Sequence, residues 1–389
     1  MISPFICYAV SFLVVVAVYL LGWSELYPRL SSGLLVFLSI SIVAHTASHL
    51  LLKPIEFRKL DKQKLPVLAT TAFIFVLWTV EFIYEGGIPL LKILLHLPYN
   101  YRLFGVPSLH VFVVTFSSFF TIYLFHLYVS NRSKLLLILF LFNLSAALLI
   151  YSRAMLFFNI TGSIIVYLMS LKRIPFVKTA IIGVALIALL FIFGVLGSLR
   201  VSREANEPYN NENFMDTGSA SEAFRHSIVP KEYFWTYIYV SSPLANLQYN
   251  IGQNPEPESS LTNLARAGMY ECLPDFITKR IHTLNDTKPP KEYRINFSFN
   301  MATVYSRSYS YSKWGGIILM GVFLVAFPWA FAKIMNRQSD FFVTGWAILC
   351  TMYFFTSYDN TFRFTGLSVQ LAYPILFSWV EKYLWAGKR

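Results

Sequence analysis

Charged residues are scarce in this chain of 389 residues, of which only 13% are Asp, Glu, Lys or Arg. Hydrophobic residues make up 56%, so a soluble protein of this length could not build a polar surface from the remainder. Several stretches of about 20 apolar residues occur, and each is long enough to cross a bilayer as a helix. The composition therefore predicts an all-α polytopic membrane protein.

Cysteine is also scarce, and the three cysteines, Cys7, Cys272 and Cys350, lie far apart in the chain. A disulfide framework or a cysteine-rich metal site is therefore not expected. The chain also lacks a Walker A sequence, a G-x-G-x-x-G sequence, an H-E-x-x-H sequence and a paired C-x-x-C. These absences argue against an ATP-driven pump and against a membrane metalloprotease. We expect neither a cofactor nor a metal.

The net charge of +12 does not indicate a nucleic-acid partner. No dense run of Lys and Arg stands beside interleaved aromatic residues on a polar segment, as a nucleic-acid surface requires. Much of the excess basic charge lies instead in short connections between apolar stretches, which is a signal of membrane topology. Membrane lipids are thus an expected partner, and nucleic acid is not.

About ten transmembrane helices are predicted, with one large loop between the seventh and the eighth. Their approximate bounds are 4–23, 32–52, 65–84, 107–129, 135–151, 154–171, 179–197, 314–334, 341–357 and 365–382. This pattern divides the chain into three parts. Residues 1–197 contain membrane helices 1–7, residues 198–313 form a large periplasmic loop with interfacial helices, and residues 314–389 contain membrane helices 8–10. Within the loop, residues 233–251 are amphipathic and aromatic, and we expect them to lie against the membrane.

Basic residues are distributed unevenly between the two sets of short connections. Fifteen lie in the even-numbered connections and the C-terminal tail, and five lie in the odd-numbered connections. Because short cytoplasmic loops of membrane proteins are enriched in Lys and Arg, this bias predicts that both termini are cytoplasmic. The large loop then lies on the outer, periplasmic side of a bacterial inner membrane.

A single arginine, Arg153, interrupts apolar sequence that runs from Leu135 to Leu171. An arginine placed in hydrocarbon is costly. The run is also too long for one span, so the chain is expected to fold back near the sequence YSR. This turn places Arg153 on the outer side, where the cost of desolvation is smaller.

Arg153 is one of six arginines that are predicted to lie in outer connections. The positive-inside bias disfavours arginine on this side, so the set indicates an anionic ligand. Planar guanidinium groups bind phosphate oxygens in pairs, which favours a diphosphate. The alternative is that each arginine anchors to a lipid headgroup or pairs with a nearby acid. The candidate diphosphate-binding residues are Arg102, Arg153, Arg200, Arg203, Arg225 and Arg363.

Candidate catalytic acid–base groups lie on the same predicted side. They are Glu222 and His226 in SEAFRHSIVPKEYF and Asp359 in SYDNTFRF. Such groups are needed because a hydroxyl nucleophile must lose its proton as it attacks. His226 is alternatively an ordinary exposed loop residue, and Asp359 is alternatively a salt-bridge partner that positions Arg363. Glu81, near the outer end of the third span, is either a functional carboxylate or an interfacial one.

Four features resemble the O-antigen polymerases of the Wzy type, which join the oligosaccharide repeat units of bacterial surface polysaccharides. VEFIYEGGIPLL followed by YNYRLFGVPSLHVF resembles the family's outer segment, and YSRAMLFF resembles a Ser-Arg at the outer start of a middle span. YFWTYIYVSSPLANL resembles the aromatic Tyr-x-x-x-Pro-Leu segment of the family's large loop. The fourth feature is the topology. The resemblance extends from about residue 65 to residue 365.

The resemblance implies a fold similar to the C-type glycosyltransferases and an active site at the periplasmic face, without a metal or a nucleotide sugar. Donor and acceptor are then both undecaprenyl-diphosphate-linked glycans, and the growing glycan is passed to the non-reducing end of a single repeat unit. Arg153 matches the family's Ser-Arg position, and Arg200 matches the arginine that opens the large loop. A regulator of chain length is a further partner that the resemblance implies.

Two other functions remain as alternatives. O-antigen ligases share the fold, but the sequence around His226 lacks the leucine of their loop-histidine pattern, which favours a polymerase. A flippase or other transporter of lipid-linked oligosaccharides should carry charged residues deep within several spans. This chain keeps nearly all of its charges at the ends of spans.

Overall fold

The computed structural model describes residues 2–60, 64–99, 104–171, 176–204, 208–254, 260–284 and 288–385. Within these ranges the chain forms helices and no β-strand, and one isolated antiparallel bridge joins Ser24 to Ala220. Several of the helices are long and apolar. The chain is thus an α-helical membrane protein, as its composition predicted.

The helices of the described ranges follow one another along the chain in a simple order. They are α1 (Pro4–Tyr19), α2 (Ser32–Leu51), α3 (Val67–Tyr84), α4 (Pro89–Leu94), α5 (Leu109–Asn131), α6 (Lys134–Leu149), α7 (Arg153–Ser170), α8 (Phe176–Glu204), α9 (Glu212–Thr217), α10 (Glu222–Arg225), α11 (Tyr233–Gln253), α12 (Leu261–Glu271), α13 (Asp275–Leu284), α14 (Ser306–Ile334), α15 (Phe342–Phe355), α16 (Thr365–Ser368) and α17 (Ala372–Val380). A 3₁₀ turn (Val369–Leu371) and a π-helix (Glu381–Trp385) flank α17.

Five helices in the described part of the chain are long and apolar enough to cross a membrane, namely α2, α3, α5, α7 and α14. Shorter apolar helices are α1, α6, α15 and the part Leu186–Ser202 of α8. A single span needs about 20 residues. The described helices therefore establish the membrane class, and the number of ten spans stays a prediction.

The helix turn predicted at the sequence YSR is confirmed. α6 ends at Leu149, Tyr151 has a left-handed φ of 57°, and α7 begins at Arg153. The Ser152 side chain caps α7 by accepting a hydrogen bond from the backbone N–H of Met155 over 3.3 Å. Arg153 is therefore the first residue of a helix, and it is exposed.

α14 is sharply bent near its start. Ser312 and Lys313 have non-helical backbone angles, with φ of −148° and 51°, so the apolar part of the helix begins after Lys313, as the sequence predicted. A Cβ atom added to Gly316 would lie 1.9 Å from the carbonyl oxygen of Ser308. The absence of a side chain at Gly316 thus permits the bend, which folds the first turn and its Arg307 back against the apolar part.

Connections predicted to lie on the same side of the membrane lie at the same end of the helix assembly. At one end, Asp340 forms ion pairs with Arg58 (3.4 Å) and Lys64 (3.8 Å). At the other end, the backbone N–H of Val304 donates to the carbonyl of Thr356 over 2.9 Å. We call this second end, where the large loop packs, the loop end. The membrane side that it faces stays a prediction.

Residues 233–251 form most of α11, which is largely buried by the rest of the protein, so the structure differs from the expected surface helix. Asn246 in this helix is fully buried. Its amide nitrogen donates to the carbonyls of Phe299 (2.6 Å) and Met301 (2.7 Å), and its oxygen accepts the N–H of Ile295 over 2.9 Å. The polar face of the amphipathic pattern therefore binds the backbone of the large loop.

Candidate functional site

The loop between α15 and α16 is fastened to the end of α12 by Asn360. The side-chain nitrogen of Asn360 donates hydrogen bonds to the backbone carbonyl (2.9 Å) and to Oε2 (3.0 Å) of Glu271. The side-chain oxygen accepts the backbone N–H groups of Phe362 (3.1 Å) and Arg363 (3.2 Å). These bonds hold Asp359, the preceding residue, against the large loop.

Glu271 is a fully buried carboxyl group that forms no ion pair with the residues that the structure describes. Its exposed fraction is 0%, and its Oε1 has no hydrogen-bond partner among the described residues. The pKa of Glu271 is raised to about 8, chiefly by burial and to a lesser extent by the carboxylates of Glu292 and Asp359. The charge of Arg307 and the hydrogen bond from Asn360 act in the opposite direction. The carboxyl therefore holds its proton at neutral pH.

Asp359 is half-buried, and burial is the main reason why its pKa is raised to about 6. The backbone N–H of Asn360, which donates to Oδ1 over 2.7 Å, favours the charged form. Arg294 and Arg307 also favour it, and Glu292 disfavours it. A carboxyl group with a pKa just below neutral is ionised at pH 7 and still accepts a proton readily, as a general base must.

Two arginines act on Asp359, and one of them, Arg307, also acts on Glu271. Nη2 of Arg294 is 3.0 Å and Nε of Arg307 is 3.8 Å from Oε2 of Glu292, whose side chain is 9% exposed. The first contact is a hydrogen bond and the second is an ion pair without one. A guanidinium has five N–H donors, and no further hydrogen bond joins these two to the described residues, so most of their donors can bind a ligand. We call Glu271, Glu292, Arg294, Arg307 and Asp359 the arginine–carboxyl cluster.

The charge of Arg153 acts on Tyr358, the residue before Asp359. Burial raises the pKa of Tyr358 to about 12, and the nearby charge of Arg153 opposes this rise. Within the ranges that the structure describes, the Arg153 guanidinium has no hydrogen bond or ion pair. It also stands at the N-terminus of an 18-residue helix, where the backbone contributes partial positive charge. The side chain and the helix end together make the start of α7 positive.

The structure places two other predicted arginines away from the cluster. Arg225 forms ion pairs with Glu212 (2.6 Å) and Asp216 (2.5 Å), so its charge is already balanced. Cζ of Arg200 lies 5.9 Å from the ring centroid of Trp235. Both arginines therefore support the packing around α11 at the loop end.

Arg363 lies in the same loop as Asp359 and is half-buried. The two side chains form no ion pair within 4.0 Å in the described structure, so the salt-bridge alternative for Asp359 is wrong. Arg203 belongs to α8, but its side chain lies outside the described residues, as does the whole of Arg102. The diphosphate-binding roles predicted for these residues stay predictions.

The other two predicted catalytic residues form an exposed pair. Nε2 of His226 is 3.2 Å from a carboxylate oxygen of Glu222, and the two side chains are 83% and 76% exposed. No hydrogen bond or ion pair between described residues joins them to Asp359. Because exposure leaves both side chains solvated, the environment that tunes a general base is found at Asp359 instead.

Glu81 lies at the loop end of α3 and is fully buried. Its Oε2 is 2.8 Å from Nδ1 of His110 at the start of α5. Beside this pair, the Arg280 side chain donates to the hydroxyl of Ser108 over 3.3 Å. A buried carboxylate paired with histidine is the arrangement of a structural ion pair and of an oriented histidine base alike, so both readings of Glu81 remain.

Sequence reasoning missed Glu271, Glu292, Arg294 and Arg307 as site residues. All four belong to the predicted large-loop region, where acidic and basic residues are balanced and no local motif distinguishes them. Their proximity to Asp359 is a long-range contact between the large loop and the α15–α16 loop. One signal was present, because a glutamate between apolar residues in GMYECL is unusual for an exposed loop.

In comparisons with models of known protein families and with curated proteins, the chain matched none of them.

Proposed function

We propose that the protein is a metal-independent glycosyltransferase that polymerises undecaprenyl-diphosphate-linked repeat units into O-antigen or a related surface polysaccharide. One observation carries this proposal. At one end of a membrane-helix assembly, the charges of Arg294 and Arg307 act on Asp359, a half-buried carboxylate suited to accept a proton, and the charge of Arg153 acts on the neighbouring Tyr358. A diphosphate at headgroup depth needs such donors, and an attacking sugar hydroxyl needs such a base.

In the proposed reaction, a hydroxyl oxygen of the acceptor repeat unit forms a bond to the anomeric carbon of the donor glycan. The bond between that carbon and the diphosphate oxygen breaks, and undecaprenyl diphosphate leaves with the electron pair. The hydroxyl proton passes to Asp359. Negative charge grows on the leaving oxygen, and preorganised guanidinium groups stabilise it there. Arg153 and Arg307 take this role.

The proposal includes a membrane orientation. The loop end faces the periplasm, both termini are cytoplasmic, and ten helices cross the inner membrane. The excess of basic residues in the connections of the opposite end supports this orientation. The ion pairs of Asp340 with Arg58 and Lys64 lie at that opposite end, which is the expected cytoplasmic one.

Deletion of the gene, followed by gel analysis of the surface polysaccharide, tests the activity. A polymerase mutant should leave lipid A–core that carries a single repeat unit, because ligation of unpolymerised units continues. Loss of a flippase or a ligase should leave bare core. Normal ladders in the deletion strain would overturn the proposal.

Complementation of the deletion strain tests the site. Arg153→Ala and Asp359→Asn should restore no long chains, because the first removes the phosphate-binding donors and the second removes the base. Arg153→Lys keeps the charge without the paired donors, so we expect shortened ladders. Arg225→Ala is the matched control, since its arginine is already paired, and should give full-length ladders. Membrane levels are measured for each variant. Full-length ladders from well-expressed Arg153→Ala would remove Arg153 from the site.

A further inference from the structure

Glu271 is the member of the arginine–carboxyl cluster that the proposed reaction leaves without a role. It is fully buried and cannot touch a substrate at the surface. Nevertheless, it lies directly behind reacting groups, because Asn360 bonds to its carboxyl group and Asp359 is the preceding residue. A buried carboxyl with a free oxygen and an uncharged partner is costly to ionise.

The proton on Glu271 decides the net charge of the cluster. With Glu271 neutral, the carboxylates of Glu292 and Asp359 are balanced by the guanidinium groups of Arg294 and Arg307. With Glu271 ionised, the cluster carries one net negative charge. That charge sits in a desolvated place, where it is weakly screened and repels an anionic ligand.

We propose that Glu271 is a positioning residue whose proton allows the arginine–carboxyl cluster to bind a diphosphate diester, and whose ionisation weakens that binding. The inference rests on the diphosphate-binding part of the proposed function and does not depend on glycosyl transfer. The raised pKa of Glu271, about 8, supports it, because ionisation then begins close to physiological pH.

The other titratable and charged groups that interact with Glu271 come from every element around it. They are Arg307 and Tyr311 on α14, Glu292 on the segment before α14, Asp359 on the α15–α16 loop and the neighbouring Cys272. Asp359 has a pKa of about 6 and is already ionised above pH 7. Of these groups, Glu271 is therefore the one expected to change its charge between pH 7 and pH 9.

The test uses the purified full chain in lipid nanodiscs. The ligand is a diphosphate with one methyl ester on each phosphate, and its charge of −2 is constant over the pH range. Its affinity is measured calorimetrically from pH 6.5 to pH 9. We expect the wild-type affinity to fall about tenfold between pH 7 and pH 9, as a nearby like charge requires. Glu271→Gln imitates the protonated form and should keep the pH 7 affinity throughout.

Two further variants assign the effect. Asp359→Asn should retain the alkaline loss, because its own titration lies at lower pH, and this variant remains informative if Glu271→Gln does not fold. Arg307→Gln should weaken binding at every pH, whereas Arg225→Ala should not. An alkaline loss that persists in Glu271→Gln, or one that disappears in Asp359→Asn, overturns the inference, as does a wild-type affinity without pH dependence. Normal polysaccharide ladders in the deletion strain would instead overturn only the polymerase function.

Discussion

Replacement of Asn360 by alanine should release the C-terminal end of α12 from the α15–α16 loop. The substitution removes both hydrogen bonds to Glu271 and leaves the backbone N–H groups of Phe362 and Arg363 without their acceptor. The bonds to Phe362 and Arg363 lie within the α15–α16 loop and do not join it to α12. We therefore count only the two bonds to Glu271, which contribute together about 2 kcal/mol.

The residue after Glu271 reports on this release. Cys272 is half-buried, and burial raises the pKa of its thiol to about 12, so it reacts slowly in the folded protein. A loss of about 2 kcal/mol increases the population in which this end is open about 30-fold. We expect the same increase in the rate of maleimide labelling of Cys272 at pH 7, measured by peptide mass spectrometry on protein in nanodiscs.

Internal and external controls separate local opening from global unfolding. Cys7 and Cys350 in the same sample lie in α1 and α15, and their labelling should be unchanged. Asn143→Ala is the matched variant, because the Asn143 side-chain nitrogen also makes two buried hydrogen bonds, to Thr71 and Leu139. It should leave Cys272 unaffected. Labelling of Cys272 at the wild-type rate in a folded Asn360→Ala protein would refute the reasoning.

Three further predictions follow from the same geometry. Gly316→Ala should lower the free energy of unfolding by about 1–3 kcal/mol, because its Cβ would overlap the carbonyl of Ser308. Gly321→Ala should change this free energy little, because its Cβ would lie 3.5 Å from the nearest ring, and thermal unfolding in detergent compares the two variants. The wild-type unfolding temperature should fall as pH rises from 5 to 8. Because the folded protein raises the pKa of Glu271 to about 8, the protonated carboxyl contributes its full stability at a pH below the ordinary pKa of a glutamate, and this contribution is lost as pH rises through about 8. Glu271→Gln should lack this part of the loss. Arg225→Ala should reduce stability by less than about 1 kcal/mol in the same assay, because its two ion pairs involve exposed carboxylates, and a larger loss would contradict the surface placement.

The membrane class and the helical hairpin at Arg153 were predictable because both follow from local properties of the chain. Apolar length alone identifies a span. The run from Leu135 to Leu171 exceeds one span, and its single charge and Ser152 identify the turn. A serine that caps the following helix is a local signal of the same kind.

The composition of the arginine–carboxyl cluster was not predictable from the sequence. Its members come from the end of α12, from the segment before α14, from the first turn of α14 and from the loop after α15. Only Asp359 was selected from the sequence, as a carboxylate on the predicted outer side. The position of Arg307 depends on the bend at Ser312 and Lys313, which the absence of a side chain at Gly316 permits.

The buried position of α11 was also not predictable from periodicity. An amphipathic helix with a polar face is compatible with a membrane surface and with a polar segment of its own chain. Asn246 distinguishes the two positions, because its side chain forms three hydrogen bonds with the backbone of the large loop. Hydropathy alone does not encode such a partner.

Arg153 differs from the other arginines of the proposed site in the net charge that it contributes. The charges of Arg294 and Arg307 are offset by Glu292 and Asp359 while Glu271 keeps its proton, so the cluster itself contributes hydrogen-bond donors and little net charge. Arg153 has no carboxylate partner among the described residues, and it adds its full charge to the positive end of α7. In the proposed site, Arg153 therefore supplies the net positive charge for an anionic ligand, whereas the cluster supplies hydrogen-bond donors.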